Sequence, residues 1–312
     1  MSHSREWIID ADNDAAGQMS LVGGKGAGLA HLRAAGFHVP PWFCLSSSAF
    51  REFLGTRGWS ANGLVQASEE ERRAALTALE AASLFDVKAG SWVEPFRERV
   101  RALLELSGVL VVRSSANVED GAHAAFAGQF KTELGLTEVD QVCAAVTRCW
   151  LSLFADHAIR YAKTMERLED LAMAVVVQQF VPADMAGVLF TMNPTNHDRN
   201  QAVVEAVWGL GESLVSGLAV PDRFLVARDG RVVATEIGAK SHGLYWNPLQ
   251  KMVEQRVNPR YFCRRAVLSE QQARTLVEIG YACEQREGCP QDIEWAIHQD
   301  QVYVLQSRPI TV

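Results

Sequence analysis

Apolar positions recur along this chain with two different periods, and the switches between them sketch its architecture. Leu29, Leu32 and Ala35 sit at helical spacing just after a glycine cluster, Gly23–Gly28, and Gly36 closes that helix. Val39-Pro40-Pro41 then reads as an extended turn. Helical spacing returns over Leu64–Leu84, with a capping signal at Ser68-Glu-Glu-Glu, and over Trp92–Leu106 up to Gly108. Val109–Arg113 is a short buried strand. A polar loop, Ser114–Gly121, and a loop–strand piece, Ala127–Leu136, follow it. Val139–Thr164 is helical. Met173–Val181, Gly187–Thr191 and Val203–Val207 are β-branched strands, the first closed by Pro182 and the second by Asn193-Pro194. After a glycine-rich turn, Trp208–Gly217, strands Phe224–Ala227 and Arg231–Ile237 form a hairpin around Asp229-Gly230. Ser269–Arg286 is a helix with a Ser N-cap, and the chain ends in strands Asp292–Ile297 and Val302–Gln306. Helices first and hairpins later define an α+β protein rather than a series of βαβ units.

Composition narrows this. The 312 residues suggest about two domains at ~100–200 residues each, and a 48% hydrophobic, 21% charged chain is globular rather than disordered. A net charge of −7 leaves no overall basic footprint for nucleic acid or an anionic membrane. A polyanion would need a local basic site and a metal. No apolar run approaches the ~18 residues of a membrane span, and Met1–Asp10 lacks the apolar core of a signal peptide. The six cysteines form no C-x-x-C pair and read as structural thiols of a cytoplasmic protein.

Five segments could carry chemistry. The glycines around Lys25 would let backbone approach a phosphate, although neither a P-loop nor Gly-x-Gly-x-x-Gly is present; a plain glycine-rich turn is the competing reading. Arg113, at the end of an apolar strand, needs an anion or a structural carboxylate. Phe126–Thr132 combines small residues with amide and hydroxyl donors that could fold over phosphates, or simply make a hairpin turn. Gln178–Val181 is a strand end whose backbone could read a base edge. On the last two strands, Asp292 and Glu294 share a face, as do Gln306 and Arg308. Two acids, an amide oxygen and a guanidinium there suit Mg²⁺ and phosphate; a solvated ion-pair face is the alternative.

Taken in order, these segments resemble the ATP-binding domain of the dikinase family, which includes pyruvate phosphate dikinase, phosphoenolpyruvate synthase and rifampin phosphotransferase. The matching stretches are Leu21-Val-Gly-Gly-Lys-Gly-Ala-Gly-Leu, Gly36-Phe-His-Val-Pro-Pro-Trp-Phe, Val112-Arg-Ser-Ser-Ala, Phe126-Ala-Gly-Gln, Gly187-Val-Leu-Phe-Thr, Trp208-Gly-Leu-Gly-Glu, Asp292-Ile-Glu-Trp and Gln306-Ser-Arg-Pro. The resemblance implies an ATP-grasp fold with nucleotide held between two lobes, 1–175 and 176–312. It implies that Lys25 and Arg113 contact phosphates, and that Gly128, Gln129 and Thr132 belong to a phosphate-covering loop. Gln178, Gln179, Phe180 and Val181 become the adenine hinge, and Asp184 a candidate for the ribose. Glu294 and Gln306 hold Mg²⁺ with Asp292 in support, and Arg308 neutralises the transferring group. Family members also carry a swivelling phosphohistidine domain, and no Gly-rich Ser-His segment of that kind occurs in this sequence. The expectation is therefore an ATP-binding unit that phosphorylates a histidine on a separate carrier domain or subunit, from which a small-molecule acceptor is served. A stand-alone kinase acting directly on a small molecule and a non-catalytic ATP-binding module are the alternatives.

Overall fold

The structure is a computed structural model and describes residues 6–81, 90–116, 131–162 and 171–310. The chain divides into two compact units, one built from Met1–Ala30 and Pro41–Phe180, the other from His31–Pro40 and Val181–Val312.

The first unit runs through β1 (Ile8–Asp10), α1 (Met19–Ala34), β2 (Trp42–Leu45), α2 (Ser47–Gly55), α3 (Ala61–Gln66), α4 (Glu69–Ala81), α5 (Val93–Ser107), β3 (Leu110–Ala116), β4 (Thr132–Leu136), α6 (Val139–Ser152), α7 (Asp156–Ala162) and β5 (Met173–Gln179). Its strands form an antiparallel sheet in the order β1-β2-β5-β3-β4. Alternation along the strands sorts two faces. Phe43, Leu45, Leu110, Val112, Val175 and Val177 pack against the aromatic faces of α2, α5 and α6, where Trp150 meets Phe53 at 4.9 Å and Trp92 at 5.8 Å. Trp42, Cys44, Val111, Arg113, Ser115, Val176 and Gln178 fall on the opposite face.

The second unit contains β6 (Met185–Phe190), β7 (Gln201–Trp208), α8 (Glu212–Val215), β8 (Asp222–Ala227), β9 (Val232–Glu236), β10 (His242–Asn247), β11 (Met252–Val257), α9 (Arg260–Arg264), α10 (Glu270–Glu287), β12 (Gln291–His298) and β13 (Gln301–Pro309). Six strands form an antiparallel sheet in the order β13-β12-β6-β7-β8-β9, and β10 and β11 make a separate hairpin. α10 begins with a capping box at Ser269 and Gln272 and covers one sheet face with Ala273, Leu276, Val277 and Cys283. Edge strand β13 is met by residues 31–40, where Val304 N–H donates to His38 O at 3.0 Å and the His38 and Tyr303 rings cross edge-on.

The α+β expectation holds. Several boundaries differ from the sequence reading for local reasons. The helix expected over Leu64–Leu84 is two, α3 and α4, because Ser68 caps the second through Glu71, whose carboxylate accepts from both Ser68 N and Oγ. The helix expected over Val139–Thr164 breaks at 153–155 into α6 and α7, and its final residues lie outside the described segments. The glycine cluster is not a loop before α1 but part of it, with a break at Gly23. β1, β2, α2 and the β10–β11 hairpin carry no clear periodic signal and appear only in the structure.

Candidate nucleotide site

In the first unit the glycine cluster is fixed against the sheet. Gly23 takes φ 69°, and a Cβ there would lie 2.1 Å from Ser115 O. Ser115 Oγ donates to Val22 O at 2.6 Å and accepts from Gly26 N at 3.1 Å. The helix that restarts after Gly23 therefore has Lys25 in its first turn, on the face that carries Arg113. Lys25 and Lys131 both draw the Cys149 thiol downward against the burial that pushes it to about 12, so both ammonium groups lie within electrostatic range of Cys149. Thr132 stands opposite Arg113 across β3 and β4, and Arg113 itself is 8% exposed.

Gln178 joins the same face, as the cross-strand partner of both Trp42 and Val111. Gln178 Nε2 and Trp42 Nε1 are fully buried donors with no hydrogen-bond partner among the described residues. Buried polar groups are nearly always satisfied, so this pair is suited to a ligand that brings acceptors. Gln179 alternates to the other face, opposite Leu110, while Phe180 is buried and its N–H donates to Val109 O. Gly128 and Gln129 lie outside the described residues.

The second unit carries an acidic cluster of its own. Asp292 pairs with Arg308 and Glu294 with Gln306 across β12 and β13, so all four side chains share one face. An extra residue in β13, Leu305, shifts the register between Glu294 and Trp295. Arg308 Nε and Nη2 both donate to Asp292 Oδ2, at 2.9 and 2.7 Å. Burial raises the Asp292 carboxyl above its ordinary range; Arg308 opposes the rise and Glu294 adds to it. The row continues across the sheet from Glu294 through Val188 to Glu205, Arg223 and Glu236. Glu205 escaped the sequence reading. Its signal was a single acid inside the apolar strand Gln201–Trp208, and burial raises its carboxyl while Arg223 draws it down. Trp42 belongs to the stretch Gly36–Phe43, and the sheet register sets it beside Gln178.

Val181 is buried just after β5. Asp184 stands apart from the Asp292–Arg308 pair. Its carboxylate accepts from Gln299 N at 2.8 Å and faces His298 Nδ1 at 3.4 Å, at the turn end of the β12–β13 hairpin. Six residues of strand, about 20 Å at ~3.3 Å per residue, separate that end from Asp292.

Small cationic and oxygen-donor groups on sheet faces, with a glycine-hinged helix start, are features of a nucleotide-binding protein, and the comparisons agree. Residues 19–312 match the family model of the pyruvate phosphate dikinase AMP/ATP-binding domain, and the chain belongs to that family. It is 37% identical to a probable phosphoenolpyruvate synthase of Archaeoglobus fulgidus, over 98% of this chain and 41% of that protein. It is 38% identical to a rifampicin phosphotransferase of Streptomyces, over 97% of this chain and 36% of the relative. The chain thus spans less than half the length of these relatives. Among solved structures, a D-alanine–D-alanine ligase from Bacillus anthracis aligns over 92% of this chain and 56% of its own, with a TM-score of 0.34 and 10% identity, too slight a likeness to carry a conclusion.

Proposed function

We propose that this chain is an ATP-grasp unit that binds ATP with Mg²⁺ and activates it for phosphoryl transfer to a histidine on a carrier domain or subunit, which then serves a small-molecule acceptor. The observation that carries this reading is the cross-strand pairing of Glu294 with Gln306 and of Asp292 with Arg308 on one sheet face. Mg²⁺ is commonly held by one or two carboxylates plus substrate phosphates rather than by an all-protein cage. The residues fit that habit: among those described, no cluster of three or more His, Cys, Asp or Glu is placed to hold a metal by itself. Glu294 and Gln306 would provide the protein oxygens. The unsatisfied Gln178 amide fits a purine edge.

When bound, ATP and Mg²⁺ supply the transferable group and neutralise most of its charge. The protein's part is positioning and electrostatics. Lys25 and Arg113 hold phosphate oxygens, with Thr132 beside Arg113 on β4 and with Gly128 and Gln129 assigned to the phosphates by the family resemblance. Gln178 to Val181 seat the base, with Gln179 and Phe180 contributing backbone groups. Asp184 takes ribose hydroxyls. Arg308 neutralises charge on the transferring group, in the bound nucleotide as well as during transfer. No described helix is long and apolar enough to cross a membrane, and a cytoplasmic location, where ATP is abundant, is part of the proposal.

Product analysis tests it. ATP should yield AMP only when a histidine-bearing partner is added; ADP formed by the chain alone with a small acceptor would overturn the reading in favour of a direct kinase. Glu294→Ala should abolish Mg²⁺-dependent turnover, and unchanged turnover would remove Glu294 from the metal site.

A further inference from the structure

This inference rests on the reading just given and reassigns one of its residues. Asp292 lies two residues from Glu294 on the same strand face, and the family resemblance implies that it supports the metal ligands. The cross-strand register gives the two acids different partners. Glu294 faces a neutral amide, Gln306, whereas Asp292 faces the guanidinium of Arg308. Asp292 Oδ2 accepts two charge-assisted bonds from it, and the Asp292 side chain is 12% exposed against 35% for Arg308. A metal at Oδ2 would have to displace a cation already held there by two donors. An arginine side chain is otherwise long and mobile, and a fork held at Nε and Nη2 fixes its plane.

We propose that Asp292 is a positioning residue that acts through Arg308, orienting the guanidinium on the Glu294 face, and is not a ligand of Mg²⁺.

The test measures binding of AMP-PNP and of AMP as Mg²⁺ is titrated, with wild type, Asp292→Asn, Arg308→Ala, the double variant and Glu294→Gln. Arg308→Ala should weaken AMP-PNP on the order of ten-fold or more and leave AMP nearly unchanged. Asp292→Asn should weaken AMP-PNP several-fold without moving the Mg²⁺ midpoint, and the double variant should be no weaker than Arg308→Ala alone, because both changes remove one unit. Arg308→Lys, which keeps the charge without the fork, should mimic Asp292→Asn. In the nucleotide-free protein, the Arg308 Nε–H resonance should exchange with water faster in Asp292→Asn than in wild type. A Mg²⁺ midpoint shifted by Asp292→Asn as by Glu294→Gln, losses that multiply in the double variant, or an unchanged Nε–H resonance would each overturn the proposal while leaving the functional reading intact. Wild-type protein that binds no AMP-PNP would overturn both.

Discussion

At the scale of single residues, the second unit contains a fully buried ion pair outside the proposed site. Asp222 Oδ1 accepts from Lys240 Nζ and from Gly238 N, and Oδ2 accepts from Val267 N at 2.7 Å; both side chains are 0% exposed. Removing one partner of a buried pair strands the other charge, a loss of about 3–5 kcal/mol. Asp222→Ala should lose about that much in urea denaturation, and more than Lys240→Met, which leaves the carboxylate its two backbone donors. Equal losses would contradict this ordering. Glu205 gives a pH test. Burial favours its protonated form in the folded state, so the stability it contributes is present below its ordinary value of 4.5 and is lost as pH rises through the raised one. Glu205→Gln should therefore melt higher than wild type at pH 7, with the gap closing at pH 4. Neither feature was legible beforehand. Asp222 and Lys240 are 18 residues apart without a periodic relation, and Lys240 reads in sequence as an ordinary solvated lysine.

At the scale of elements, tight strand contact explains Gly187. A Cβ there would lie 1.8 Å from Glu205 O and 2.9 Å from the Trp295 ring, so β6 and β7 could not keep their register. Gly187→Ala should cost at least about 2 kcal/mol and weaken Mg²⁺-dependent nucleotide binding, since Val188 and Glu205 continue the Glu294 row. Urea titration and equilibrium binding check the two parts. The sequence made much of this level readable. Period-two alternation showed that Asp292 shares a face with Glu294 and Gln306 with Arg308, and Ser269 marked the start of α10. It could not say whether the two pairs share the same face, because that depends on register. β2 was hidden by its proline approach and its short length of four residues.

At the scale of the whole molecule, residues 31–40 belong with a unit whose other residues begin at 181. Hydropathy describes local burial and contains no record of such an excursion. Binding acts on stability at this scale. A ligand present at ~100 times its Kd stabilises the folded state by about 2.7 kcal/mol. ATP should therefore raise the melting temperature in the presence of Mg²⁺ and much less after chelation with EDTA. An equal rise in both conditions would argue against a metal shared between protein and phosphate. The −7 charge, which spoke against a polyanion, is compatible with one once Lys25, Arg113 and Arg308 are considered separately.

Leu305 has a consequence for which length changes this hairpin can absorb. Counting from the turn, an unbroken ladder would set Leu305 against Glu294 and Ser307 against Asp292, sending the amide and the guanidinium to the far side of the sheet; one supernumerary residue reverses that parity. The chemistry of this end is thus decided by an odd or even count. Deleting Leu305 itself would preserve both pairings, since the ladder would then reach them without an offset. Adding one residue to β12 between Glu294 and the turn would preserve them as well, by giving Leu305 a partner, whereas adding one to β13 between the turn and Gln306 would need a second offset.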